Sequence, residues 1–223
     1  MMDLIAAHRL ALAGALDQLT DEQWHGESLC AGWTPAHVLA HQTMPFRISE
    51  DEFMTGLQRC GGDFTRLSDE IAERDSHLPP AELVAVLRAN AETPWSPPGG
   101  GLTGSLSHDV IHGIDISWPL GLAYEIPDRA MTLVLDSITT PLDLGPDAVR
   151  GEEVRPGAGA TTIFGFPLAG IRATATDLGW SAGNGAELAG GSRDLLPLLA
   201  GRRIPRDRFS GDGAARAWSL AGR

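Results

Sequence analysis

The chain has 223 residues, 43% of them hydrophobic and 21% charged, which suits a folded core and excludes disorder along the whole length. All 17 basic residues are Arg, so Schiff-base, pyridoxal-phosphate and Walker A chemistry, each of which needs a lysine amine, is excluded. The formal charge of −12 is uneven: residues 1–150 set 8 Arg against 22 acidic residues while 151–223 carry a slight basic excess, and the acidic part disfavours nucleic acid and anionic membranes as partners.

The opening MMDLIAAHRL carries Asp3 and lacks the basic start and apolar block of a signal peptide. No stretch approaches the ~20 apolar residues that span a bilayer. Cys30 and Cys60 have no CxxC spacing and read as reduced thiols, so a soluble cytoplasmic protein is expected.

Residues 2–18 set Leu4, Ile5, Leu10, Leu12 and Leu16 among alanines and read as a first helix. Thr34-Pro35 supplies an N-cap and a Pro at the first helical position, and Pro45 ends or kinks the helix that follows. A polar run extends to about residue 75, and Pro79-Pro80 opens a helix through Ala81–Ala91. The Pro/Gly-rich stretch 93–101 is a loop. Leu102–Trp118 reads as a third long helix and Arg129–Thr139 as the fourth, which points to an antiparallel bundle able to hold a metal in its interior.

A Gly/Pro/charge-rich tract marks a domain junction, giving an expected bundle at 1–145, a linker at 146–159 and a smaller domain at 160–223. There, Ile171–Thr176, the Gly183-Asn184-Gly185 turn after Trp180, and Ala186–Leu188 together resemble a hairpin. Ser192 is placed to cap a helix over Arg193–Ala200, and the Arg-rich end, 201–223, reads as solvated. The overall class is α+β, a four-helix bundle followed by a small α+β domain.

Seven histidines would supply about 0.2 pairs spaced i, i+4 by chance. The chain has two, His37/His41 and His108/His112, both on expected helices. Residues four apart share a helix face, so their imidazoles can reach one cation. Three or four neutral imidazoles suit zinc, nickel or ferrous iron, and three leave a coordination position open. HExxH is absent, which removes the general base of zincin-type proteolysis.

The run Cys30-Ala-Gly-Trp-Thr-Pro-Ala-His-Val-Leu-Ala-His41, then His108-Asp-Val-Ile-His112-Gly-Ile-Asp115, resembles the mycothiol-dependent maleylpyruvate isomerase family of DinB-like metalloenzymes. Thr176-Asp-Leu-Gly-Trp180 and Asp194-Leu-Leu-Pro-Leu-Leu-Ala-Gly-Arg202 resemble its small C-terminal domain. The resemblance implies metal ligands His41, His108 and His112, with His108 standing where isomerase members have Glu. His37 beside Thr34 reads as a cap or a supporting residue, with a fourth metal ligand as the alternative. Asp115 either accepts an imidazole N–H from His112 or is a surface carboxylate. Asp109 faces elsewhere on the helix and reads as solvated. Trp33 and Trp118 read as bundle packing, and Cys30 as a buried thiol.

Arg202 is the candidate catalytic residue, a guanidinium suited to holding a substrate carboxylate, although a solvated surface role is the competing reading. The resemblance further implies a divalent metal, zinc first and nickel or iron next, with mycothiol as thiol cosubstrate. The implied activity is isomerisation or S-transfer on a small electrophile such as maleylpyruvate. The loop at 93–101 and the C-terminal domain would wall the cleft. The alternatives are a hydrolase built on a metal-bound water, and a metal-stabilised binding module without turnover.

Overall fold

The computed structural model describes residues 1–139 and 162–220. The chain divides into two compact units, Met1–Ala130 and Met131–Arg223. The expected linker at 146–159, and the bundle limit at 145, lie outside the described residues.

The first unit is helical: α1 (Met2–Leu16), α2 (Asp21–Trp24), α3 (Pro35–Thr43), α4 (Glu50–Arg59), α5 (Phe64–Asp75), α6 (Pro80–Ala89) and α7 (Gly101–Ser117). α1 packs on α6 and α7, and α3 packs on α6 and α7, so these four make the bundle, with α5 laid against α3. Leu12 and Leu16 of α1, Val38 and Leu39 of α3, Leu83 and Leu87 of α6 and Ile116 of α7 fill its interior. Each fully buried aliphatic side chain there stabilises the fold by about 1.5–3 kcal/mol relative to exposure. The fourth bundle position belongs to α6; the helix expected in that place, α8 (Asp128–Thr139), falls mostly in the second unit.

α3 begins where the sequence directs. The Thr34 side chain accepts from the His37 backbone N–H while the His37 ring receives the Thr34 N–H, a reciprocal cap, and Pro35 occupies the first turn. Pro45 lacks a backbone N–H and the helix tightens into a 3-10 turn at Met44–Phe46. The polar run after it folds as α4 and α5 because each keeps a narrow apolar stripe: Phe53 and Leu57 on one, Leu67 and Ile71 on the other, packed with Met44 and Cys60.

In the second unit β1 (Ile171–Ala175), β2 (Trp180–Gly183) and β3 (Ala186–Gly190) form one sheet in the order β2-β1-β3. β1 and β2 are antiparallel, whereas β3 pairs parallel to β1 on its other side. The Gly-Asn-Gly segment therefore does not close a hairpin between β2 and β3. It carries the chain across the start of β1, so closely that a Cβ at Gly183 would lie 2.3 Å from the Ile171 carbonyl oxygen and one at Gly185 2.4 Å from that of Gly170. Both glycines also hold positive φ, 79° and 118°, so only glycine makes this crossing without strain.

α9 (Ser192–Leu199) is entered from Gly191 rather than capped by Ser192, whose N–H and hydroxyl are both received by the Asp177 carboxylate at 2.8 and 2.9 Å. α10 (Asp212–Leu220), in the stretch expected to be solvated, packs on β3 and β1. No helix among the described residues is long and apolar enough to cross a membrane.

Candidate metal centre

His41 sits in the last turn of α3, and His108 and His112 lie one turn apart on α7, which packs against α3. The three rings meet, with centroids 5.1 Å apart for His41 and His108, and 4.8 Å for each of them to His112. At a tetrahedral zinc with bonds of about 2.0–2.1 Å, two imidazole nitrogens stand about 3.3 Å apart. His41 Nε2 and His108 Nε2 stand at 3.2 Å. One donor nitrogen from each of the three histidines lies within 4.8 Å of the other two.

The Nδ1 atoms are engaged elsewhere. His41 Nδ1 meets the Ser68 hydroxyl of α5 at 2.8 Å, His112 Nδ1 donates to Asp115 Oδ2 at 2.9 Å, and His108 Nδ1 donates to Asp109 Oδ1 at 3.2 Å. Holding one ring nitrogen fixes tautomer and orientation and turns the other nitrogen toward a cation. The donor set therefore fits a divalent metal of the zinc type.

The carboxylates behind these rings are deeply placed. Asp115 is wholly buried and also receives the Cys30 thiol at 3.1 Å, while its backbone carbonyl accepts from Leu29 N–H. Asp109 is 1% exposed, which corrects its reading as a solvated side chain: Arg9 Nε donates to its Oδ2 at 2.6 Å. Burial pushes the Asp109 carboxyl pKa up, but the His108 hydrogen bond and the pull of His108, Arg9 and His8 prevail and hold it below the usual carboxylate value.

Two indoles flank the rings. Trp33, on the turn that Ser28 ties down by donating to the Trp33 carbonyl, lies 5.3 Å from the His41 ring. Trp95, from the Pro/Gly-rich loop, stands edge-on to His108 at 5.0 Å.

His37 lies outside the cluster, its ring capping α3 and donating Nε2–H to Glu73 at 2.8 Å. Cys30 is half-buried rather than enclosed, and Trp118 is half-buried at the end of α7. Arg202 lies in the second unit after α9, half-buried, with Nη1 donating to the Ala200 carbonyl at 3.2 Å. Sequence reasoning missed Ser68 and Arg9. Both carried a signal, since Arg9 interrupts the Ile5, Leu12, Leu16 face of α1 and Ser68 interrupts the Leu67, Ile71 stripe of α5.

Fold and centre together define a helical-bundle protein in which two helices bring three imidazoles to one point. Residues 5–93 match the family described as mycothiol maleylpyruvate isomerase N-terminal domain. The crystal structures of the mycothiol-dependent maleylpyruvate isomerase and of a histidine-to-alanine mutant of it share the fold, at TM-scores of 0.58 and 0.59. Each is 16% identical over 96% of this chain and 92% of theirs. No curated protein matches the chain.

Proposed function

We propose that the protein is a mycothiol-using enzyme of the maleylpyruvate isomerase type, acting on a small electrophile with a divalent cation held by His41, His108 and His112. The observation that carries this reading is the convergence of three imidazoles whose Nδ1 atoms each meet a side-chain oxygen. All-nitrogen donors favour zinc, with nickel and ferrous iron next. His41, His108 and His112 would hold the cation, which would supply acidification of a bound thiol; a thiol that adds reversibly to the substrate's double bond would be recovered with its proton, so isomerisation would consume none.

The chain's own residues prepare this chemistry. Ser68, Asp109 and Asp115 hold the three rings in one tautomer and orientation. Trp33 and Trp95 pack beside the His41 and His108 rings and limit their movement. Arg202 is assigned, on its chemistry, to a substrate carboxylate, so Arg202→Met raises KM for an anionic substrate far more than it alters metal content. The cytoplasm keeps Cys30 and Cys60 reduced and is the compartment this reading calls for.

The test combines purified, zinc-loaded protein with mycothiol and maleylpyruvate. Isomerisation that needs both zinc and thiol, returns the thiol unchanged, and disappears in a His41→Ala/His112→Ala variant is the expected result. Consumption of thiol with a generic electrophile instead assigns S-transfer. Turnover of neither substrate, or stoichiometric zinc retained by the double variant, overturns the proposal.

A further inference from the structure

Arg9 is the largest fully buried side chain of the first unit, and each nitrogen of its guanidinium is engaged. Nε donates to Asp109 at 2.6 Å, Nη1 to the carbonyls of Asn90 and Thr93 at 2.8 and 2.9 Å, and Nη2 to the Ser105 hydroxyl at 3.3 Å, while the Phe46 ring lies 5.0 Å beneath it. Taking a charge pair out of water costs several kcal/mol per ion, and such pairs are commonly replaceable by apolar side chains without loss of stability. Stability alone therefore does not account for an ion pair at this depth.

Its position does. Asp109 uses one oxygen for Arg9 and turns the other to His108 Nδ1 at 3.2 Å. The guanidinium's other arm fixes the carbonyls of residues 90 and 93, the root of the loop that sets Trp95 against the same imidazole. Ring orientation and ring cover at His108 thus both trace back to one side chain on α1.

Building on the metal-centre reading above, we infer that Arg9 is a positioning residue for the centre, acting through Asp109 to aim His108 and through residues 90–93 to place Trp95. It touches neither cation nor substrate. An arginine suits the task because its planar fork serves a carboxylate and two carbonyls at once, which a lysine ammonium does not reproduce.

The test uses two variants of the full chain. Asp109→Asn keeps the shape and removes the charge. Arg9→Met/Asp109→Leu removes both partners, so no orphaned charge stays buried. Zinc affinity is measured by chelator competition, ligand geometry from the absorption bands of the cobalt(II)-loaded protein, and folding from thermal unfolding without metal. The expected result is a zinc affinity weaker by about 10–100-fold with altered cobalt bands in both variants; the double variant unfolds near the wild-type temperature, whereas Asp109→Asn, which leaves the Arg9 charge buried without its partner, folds but unfolds at a lower temperature. A folded variant that binds zinc as tightly as wild type, with unchanged cobalt bands, overturns the inference and leaves the pair a packing feature. Should the double variant fail to fold, Asp109→Asn alone decides. Wild-type protein that takes up no zinc overturns the metal-centre reading instead, which separates the two failures.

Discussion

Ser68 is the sole hydroxyl among the three groups that hold an Nδ1 of the centre; the other two are carboxylates. Replacing it with Ala leaves His41 able to rotate and lowers metal affinity by about 10–100-fold, with little change in thermal stability of the metal-free protein. Chelator competition measures this directly. Gly113, next to His112, is a packing counterpart: a Cβ there would stand 2.4 Å from the Tyr124 hydroxyl and 3.0 Å from His8 Nε2. Gly113→Ala therefore forces α7 away from the His8–Tyr124 hydrogen bond and destabilises by about 1–3 kcal/mol, read from denaturant unfolding. At this scale the convergence of histidines was legible only in part: the i, i+4 spacing of His108 and His112 declares a shared helix face, but the same spacing of His37 and His41 joins a capping ring to a clustered one. Of the supports, Asp115 was legible from its place three residues past His112; Arg9 and Ser68 showed only as polar breaks in apolar stripes, and Asp109 as an ordinary polar residue, until the helices that bury them are assembled.

Among the elements, α3 and α5 are clamped at the end that carries His41. Arg47 donates to the Ala40 carbonyl and the Thr43 hydroxyl at the close of α3 and forms an ion pair with Asp75 of α5, which Arg74 also contacts. Burial raises the Asp75 pKa, but the hydrogen bonds from Arg74 and Arg47 outweigh it and leave the carboxyl below its ordinary value. A lowered folded pKa gives stability that is complete above the unfolded value of about 3.9 and is lost as pH falls through the folded one. Asp75→Asn accordingly costs about 3 kcal/mol at neutral pH and flattens the acid limb of the stability profile, measurable by urea titration across pH 2–7 (roughly the range spanned by carboxylate titration).

The elements were unevenly legible. Thr34-Pro35 announced α3 because capping is local chemistry. α4 and α5 hid in a run whose charges outnumber its narrow apolar stripes, and Gly183-Asn184-Gly185 mimicked a hairpin because turn residues do not encode which edge of β1 the next strand joins. α10 was masked by arginines and glycines around Ala214 and Ala217, the residues that bury its inner face.

For the molecule as a whole, a ligand that binds only the folded state stabilises by mass action. At zinc concentrations a hundredfold above Kd this amounts to about 2.7 kcal/mol, or a rise of about 5–10 °C in the transition of the first unit. Calorimetry with and without chelator checks it, and the rise vanishes in the His41→Ala/His112→Ala variant. The division into a bundle and a small α+β part was legible from the change of hydrophobic period along the chain. The placement of helix 128–139 was not, because an amphipathic stripe says that a helix packs without saying on what. One arrangement gives the bundle a property of its own. With indole rings about 5 Å from two of the three imidazoles, a paramagnetic ion entering between them dims the emission of those tryptophans, so its entry is readable by fluorescence from the native protein without an added label, and its displacement by a closed-shell ion is readable as recovery.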